Sequence, residues 1–315
     1  MDKDVDVVVS EKRALVPGHV VEFTLTSTDD FPLSNWEPGA HIEVVLPSGL
    51  IRHYSLCGDP ADESYKIAVL READSRGGSH ELHDAVSVGT RLVVRGPRNH
   101  FPLQRAAHTV FIAGGIGITP LLPMMRALTN EGRSWELHYG GKSLASLAYL
   151  DALDLMEGHP VNVYVKDETR RIPVADVLEK IDTSAIVYVC GPDSMISDVE
   201  NEGARRGLEV RLERFGPTGA EIDHSGDTAF EVVLNRSGST LTVTPDQRLI
   251  DVVRTVVPSV PFSCEEGYCG SCETTVLEGE PEHRDSILSP EERASNECMM
   301  ICVGRSRSSR LVLDI

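Results

Sequence analysis

Three cysteines within nine residues, Cys264, Cys269 and Cys272 in "PFSCEEGYCGSCET", constrain this chain more than any other feature. A loop that gathers three thiols so closely must turn tightly, and Gly267 and Gly270 allow backbone angles that a Cβ would forbid. The spacing C-x4-C-x2-C with a distant fourth cysteine is that of plant-type [2Fe–2S] centres. A structural zinc site usually draws on two short cysteine pairs, and only one is present. Seven cysteines is an odd number, which also weighs against a full set of disulfides. Cys302, separated from Cys272 by 29 residues (273–301), competes with Cys298 for the fourth position.

Such a cluster handles single electrons and needs a source of them. The chain has room for one, since 315 residues suffice for two or three domains, each with its own core. No apolar run approaches membrane-spanning length, and "MDKDVDVVVSEKR" has acids where a signal peptide is basic and then apolar. A cytoplasmic protein with no membrane partner is expected. Forty-nine acids against 30 Lys and Arg give a net charge of −19, which repels a nucleic-acid backbone.

Short alternating segments of Val, Ile and Thr, broken by Pro and Gly, fill residues 1–103 and predict an antiparallel β-barrel. From 104 to 225, "HTVFIAG", "SWELHYGG", "PVNVYVKD" and "AIVYVCG" read as buried strands alternating with helix-compatible stretches, the rhythm of an α/β domain with a parallel sheet. Residues 216–229, poor in large apolar groups, read as a linker. A third domain, 226–315, opens with the hairpin "FEVVLNRSGSTLTVTP" and a helix near "DQRLIDVVRTV" before the cysteines.

"FIAGGIGITPLLPMMRAL" runs from a strand through Gly114, Gly115 and Gly117 into a helix opened by Thr119 and Pro120, where amide groups face a bound pyrophosphate. "YVCGPDSM" places Cys190, Gly191 and Pro192 at the end of a second strand, and ligands of open α/β sheets bind beyond such ends. In the first domain "RHYSLCG" brings Arg52, Tyr54 and Ser55 close together, and "SRGGSHELHDAV" sets Gly77, Gly78 and Ser79 before a helix as an anion site.

With these motifs in this order, the chain resembles the phthalate dioxygenase reductase family, which includes the vanillate O-demethylase reductases. The resemblance spans nearly the whole chain and implies a flavin-binding β-barrel, an α/β nicotinamide-binding domain and a C-terminal β-grasp ferredoxin domain. It implies FMN, NADH and a [2Fe–2S] cluster as cofactors. Arg52, Tyr54 and Ser55 match the flavin strand, and Gly77, Gly78 and Ser79 the FMN phosphate turn. Gly115, Gly117, Thr119 and Pro120 match the pyrophosphate loop, while Cys190, Gly191 and Pro192 match the turn beside the nicotinamide. Phe215 corresponds to an aromatic residue close to the flavin. The family spacing makes Cys302 the fourth ligand, with "MMICVG" read as a strand. Asp167 near a ribose favours NADH, whereas Lys142, Arg170 or Arg171 would suit a 2′-phosphate. The implied partner is the terminal oxygenase of a Rieske non-haem iron system, with a cytochrome or other carrier as the alternative acceptor.

Overall fold

The computed structural model describes residues 4–28, 32–73, 75, 77–166, 171–216 and 222–315. Contacts divide the chain into two compact units, Met1–Glu213 and Arg214–Ile315.

The first unit begins with β1 (Val5–Val16), β2 (Val20–Ser27), β3 (His41–Val45), β4 (Ile51–Ser55) and β5 (Tyr65–Leu70), followed by helix α1 (Gly78–Asp84) and β6 (Arg91–Arg98). These six strands form one sheet in the order β4-β3-β6-β1-β2-β5, each pair antiparallel. An antiparallel bridge between Leu56, just past β4, and Ile67 of β5 joins the two outer strands and closes the barrel. Alternation along the strands sends Val7, Val9, Phe23, Leu25, Ile42, Val44 and Ile67, all fully buried, into its interior. Each such side chain contributes roughly 1.5–3 kcal/mol of burial.

The same unit continues with β7 (His108–Gly114), α2 (Leu121–Asn130), β8 (Ser134–Gly141), α3 (Leu150–Asp154), β9 (Val161–Val165), α4 (Val174–Glu179), β10 (Ile186–Cys190), α5 (Asp193–Arg206) and β11 (Glu209–Glu213). The five strands are parallel in the order β11-β10-β7-β8-β9. Strand β7 is buried from Thr109 to Gly114, as a central strand covered on both faces must be. One face packs Phe111, Trp135, Tyr139 and Tyr188 into a core shared with α2 and with Val16, Cys57 and Phe101 at the barrel. The other packs Val110, Ile112, Val187 and Val189 beneath α4 and α5. Chain order moves outward from β7 in opposite directions, to β8 on one side and β10 on the other. The crevice above the β7 and β10 ends is thus the switch point where such sheets bind ligands.

The second unit comprises β12 (Phe230–Leu234), β13 (Ser239–Val243), α6 (Leu249–Arg254), β14 (Glu273–Glu278), β15 (Pro281–Glu282), α7 (Pro290–Ser295), β16 (Cys298–Met300), β17 (Arg305–Ser306) and β18 (Arg310–Leu313). Its main sheet runs β13-β12-β18-β14-β16, with β12 and β18 parallel and the other pairs antiparallel. Helix α6 buries Leu249, Ile250 and Val253 against Val232, Leu234, Leu311 and Leu313 of that sheet, the β-grasp arrangement. The predicted hairpin is present, Leu234 pairing with Ser239 around a turn that Gly238 completes at φ 69°. Of the predicted linker, residues 217–221 lie outside the described residues. Asp227, just beyond them, is tied to Arg284 and lies 3.4 Å from Arg305, and the Arg284 contact lowers its carboxyl to about 2.

Candidate functional site

Cys264, Cys269, Cys272 and Cys302 are all buried and all unbridged. The Cys264 thiol is within hydrogen-bonding reach of those of Cys269 and Cys302, and Cys302 reaches Cys272 as well. Their loop bends through three left-handed residues, Glu265 (φ 58°), Gly267 (φ 75°) and Gly270 (φ 76°). Glu265 is held there by Arg248, whose Nη1 stands 2.7 Å from its carboxylate. The bend turns backbone amides onto the sulfurs: Glu266 N–H donates to Cys264 Sγ at 3.3 Å, Tyr268 N–H also serves Cys264, and Gly267 N–H serves Cys302. Four buried thiols, two of which accept from backbone N–H groups, suit a cluster that carries negative charge. The strand expected to carry Cys302 is shorter than the sequence suggests. β16 stops at Met300 and Cys302 sits in the following turn. Cys298 lies on β16, where burial and then the charges of Glu273, Glu292 and Asp285 push its thiol up to about 11.

In the barrel, the side chain of Arg52 lies directly over Gly78. A Cβ there would stand 2.6 Å from Arg52 Nε, so any larger residue would push the Arg52 side chain from this position. Gly77 turns at φ 97°, and α1 starts at Gly78, so Gly78 and Ser79 are its first residues and do not precede it. Ser79 Oγ accepts from the Glu72 N–H at 3.3 Å and donates to Ser75 Oγ at 2.9 Å. Tyr54 is held beside them with its phenol pushed up by burial.

At the switch point the two glycine turns interlock. A Cβ on Gly117 would stand 2.3 Å from the Cys190 carbonyl oxygen, and one on Gly114 2.4 Å from Pro192 Cδ. Gly115, at φ 54°, has nothing within 4 Å of its Cβ position and opens into the crevice. Thr119 does not cap a helix as expected. A 3-10 turn over Gly115–Ile118 intervenes, the Thr119 hydroxyl donates to the Ile116 carbonyl at 3.0 Å, and α2 begins only at Leu121, after Pro120. Asp167 and Arg170 lie outside the described residues. Lys142 and Arg171 are exposed, and Phe215, 43% exposed, belongs to no core.

The structure adds a residue that the sequence reading missed. Ser55 Oγ donates to Glu213 Oε2 at 3.2 Å, and Glu213 pairs in register with Cys190 across β10 and β11. The barrel's Ser55 and the sheet's Cys190 thus meet at one carboxyl. Burial raises Glu213 to about 8, with the Ser55 hydrogen bond pulling the other way, and Cys190 is raised by its own burial. Glu213 is partly covered as a residue while its carboxyl is enclosed. Its only sequence signal was its place two residues before Phe215.

Family models match two stretches: an oxidoreductase NAD-binding domain over residues 111–201 and a 2Fe-2S iron-sulfur cluster binding domain over 232–306. Together with the geometry above, they make the chain an NAD(P)H-dependent iron–sulfur oxidoreductase. It is 38% identical to the phthalate dioxygenase reductase of Burkholderia cepacia over 93% of this chain and 92% of that one. A solved phthalate dioxygenase reductase, described as a modular structure for electron transfer from pyridine nucleotides to [2Fe-2S], matches with TM-score 0.70 at 36% identity, covering 99% of this chain and 98% of that one. The chain belongs to the phthalate dioxygenase reductase family. An intact type IV self-sufficient cytochrome P450 monooxygenase also matches, with TM-score 0.93 and 38% identity over 99% of this chain; the chain spans 41% of that longer protein. No helix among the described residues is long and apolar enough to cross a membrane.

Proposed function

We propose that this chain is the reductase component of an oxygenase system, taking electrons from NADH and delivering them to the terminal oxygenase of a Rieske non-haem iron type. The reading is carried by one observation: a crevice at an α/β switch point and four convergent thiols occur in one chain, which suits two-electron intake and one-electron output. When bound, FMN converts the hydride pair of NADH into single electrons that the [2Fe–2S] cluster hands on.

The residues have the following roles. Arg52, Gly77, Gly78 and Ser79 hold the FMN phosphate, with the Arg52 guanidinium as its counter-charge. Tyr54 supports the flavin ring, and Ser55 stands at its redox-active edge. Gly115, Gly117, Thr119 and Pro120 form the floor under the pyrophosphate, where the absence of a Cβ lets backbone approach phosphate. Cys190, Gly191 and Pro192 seat the nicotinamide. Glu213, whose carboxyl burial raises to about 8, accepts from the Ser55 hydroxyl and, when protonated, keeps uncompensated charge out of the enclosed site. Phe215, an exposed aromatic side chain, is assigned to the flavin by the family resemblance alone. Asp167 favours NADH over NADPH. Cys264, Cys269, Cys272 and Cys302 ligate the cluster.

The oxygenase contact is transient and guided by charge, since the donor must release its partner after each electron, and the strongly acidic chain suits a locally basic docking face. The same acidity excludes nucleic acid as a partner, and the protein works in the cytoplasm. A haem acceptor is the second reading, favoured by the match to the P450 monooxygenase. Anaerobic NADH titration followed by addition of a Rieske oxygenase or a cytochrome separates the two. Faster reoxidation by the oxygenase supports the first reading, and faster reoxidation by the cytochrome supports the second.

A further inference from the structure

Downstream of the cysteines, Asp285 is a carboxylate whose side chain is only 1% exposed. Burying a charge costs several kcal/mol unless it is paired, so its partners indicate its task. Asp285 Oδ2 accepts from the N–H groups of Ile287 at 3.2 Å and Leu288 at 2.9 Å, and faces Arg293 of α7 at 3.6 Å. Its Oδ1 faces His283 Nδ1 at 3.9 Å, and Arg293 also donates to its backbone carbonyl. The segment 283–288 is thereby fixed by its own turn and by the helix that follows.

That segment lies against the cluster loop. The Ser286 N–H donates to the Gly267 carbonyl at 2.9 Å, and a Cβ on Gly267 would stand 3.0 Å from Asp285 Cα. The Gly267 N–H is the donor to the Cys302 sulfur. We propose that Asp285 is a positioning residue of the metal centre, holding residues 285–286 on Gly267 so that the Gly267 amide stays on the Cys302 sulfur and raises the reduction potential of the cluster. The inference rests on the iron–sulfur reading above. An N–H donor to a ligating sulfur favours the more negative, reduced state, so loosening it lowers the potential.

Two variants of the full chain, loaded with iron and sulfide, isolate this role. Asp285→Asn and Asp285→Ala both remove the charge, so its direct electrostatic effect on the cluster cancels between them. Only Asn keeps an oxygen for the Ile287 and Leu288 amides. In a potentiometric titration read by electron paramagnetic resonance, the Ala protein is expected to have a more negative midpoint than the Asn protein and an altered g-value spread. Equal midpoints and identical spectra overturn the proposal, even where the Ala protein melts lower. If Asp285→Ala binds no cluster, Asp285→Ser, whose hydroxyl can accept from one amide, replaces it with the same expectation against Asn. A wild-type chain without a [2Fe–2S] signal overturns the functional reading and this proposal together. A normal wild-type signal with indistinguishable variants overturns this proposal alone.

Discussion

The cluster loop and the nicotinamide crevice gather their groups in opposite ways. The loop takes three of its four thiols from nine consecutive residues and holds them with three left-handed backbone positions. The crevice takes Ser55 from a barrel strand and Cys190 and Glu213 from adjacent parallel strands, joining residues 158 positions apart. A local arrangement leaves its geometry in the spacing of the sequence. A topological one leaves only the separate pieces, and it is also the one that a distant change in packing disturbs.

The sharpest way to break the comparison is Cys302→Ser. Because the loop belongs to its own unit, NADH should still reduce the flavin at an unchanged rate while delivery to an oxygenase falls to background, as followed by stopped-flow absorbance. Loss of both activities would show that the two regions are not separable. Gly117→Ala tests the crevice in turn, since its methyl would stand 2.3 Å from the Cys190 carbonyl, a backbone atom that cannot step aside. Thermal melting should register a loss of about 1–3 kcal/mol, and steady-state kinetics a raised KM for NADH with an unchanged cluster spectrum.

Glu213→Gln gives a smaller, pH-dependent effect. The Glu213 pKa is raised from 4.5 to about 8, so the unfolded chain ionises first. The stability this group contributes is fully present below about pH 4.5 and is lost as pH rises through about 8. The Gln variant stays neutral throughout and should therefore gain on the wild type across that window, by a few kcal/mol at most. A flat difference in chemical denaturation between pH 5 and 9 would contradict the buried carboxyl. The smallest effect belongs to the second unit. Ser289 accepts from the Glu292 N–H at 3.2 Å in the capping box that opens α7. Ser289→Ala should cost about 1 kcal/mol, seen in the melting of the second unit and not of the first.

Much of this was legible beforehand because hydrophobic period and turn chemistry agree over long stretches. The barrel strands, the sheet strands β7, β8 and β10, the Ser-Gly hairpin and the order of the modules all follow from them, whereas β9, read as buried, is an edge strand in which only Val165 is buried. Strand β11 was not legible. "EVRLE" alternates charge with apolar groups because it lies at the sheet edge, and nothing in it resembles the buried run of "IVYVC" beside it. Thr119 misled for a different reason. A Thr-Pro pair before an apolar run reads as a helix start, but the glycines ahead of it wind into a 3-10 turn first, and the hydroxyl spends its hydrogen bond closing that turn. The interlocking of Gly117 with Cys190 and the meeting of Ser55 with Glu213 depend on which strands become neighbours, and no local spacing encodes that.

The most direct test is an anaerobic titration of the loaded wild-type chain with NADH, monitored across the flavin and iron–sulfur absorption bands, beside the same titration of Cys302→Ser. The account predicts that both bands bleach in the wild type and only the flavin band in the variant. Cluster bands that stay oxidised in the wild type after the flavin is fully reduced would contradict it.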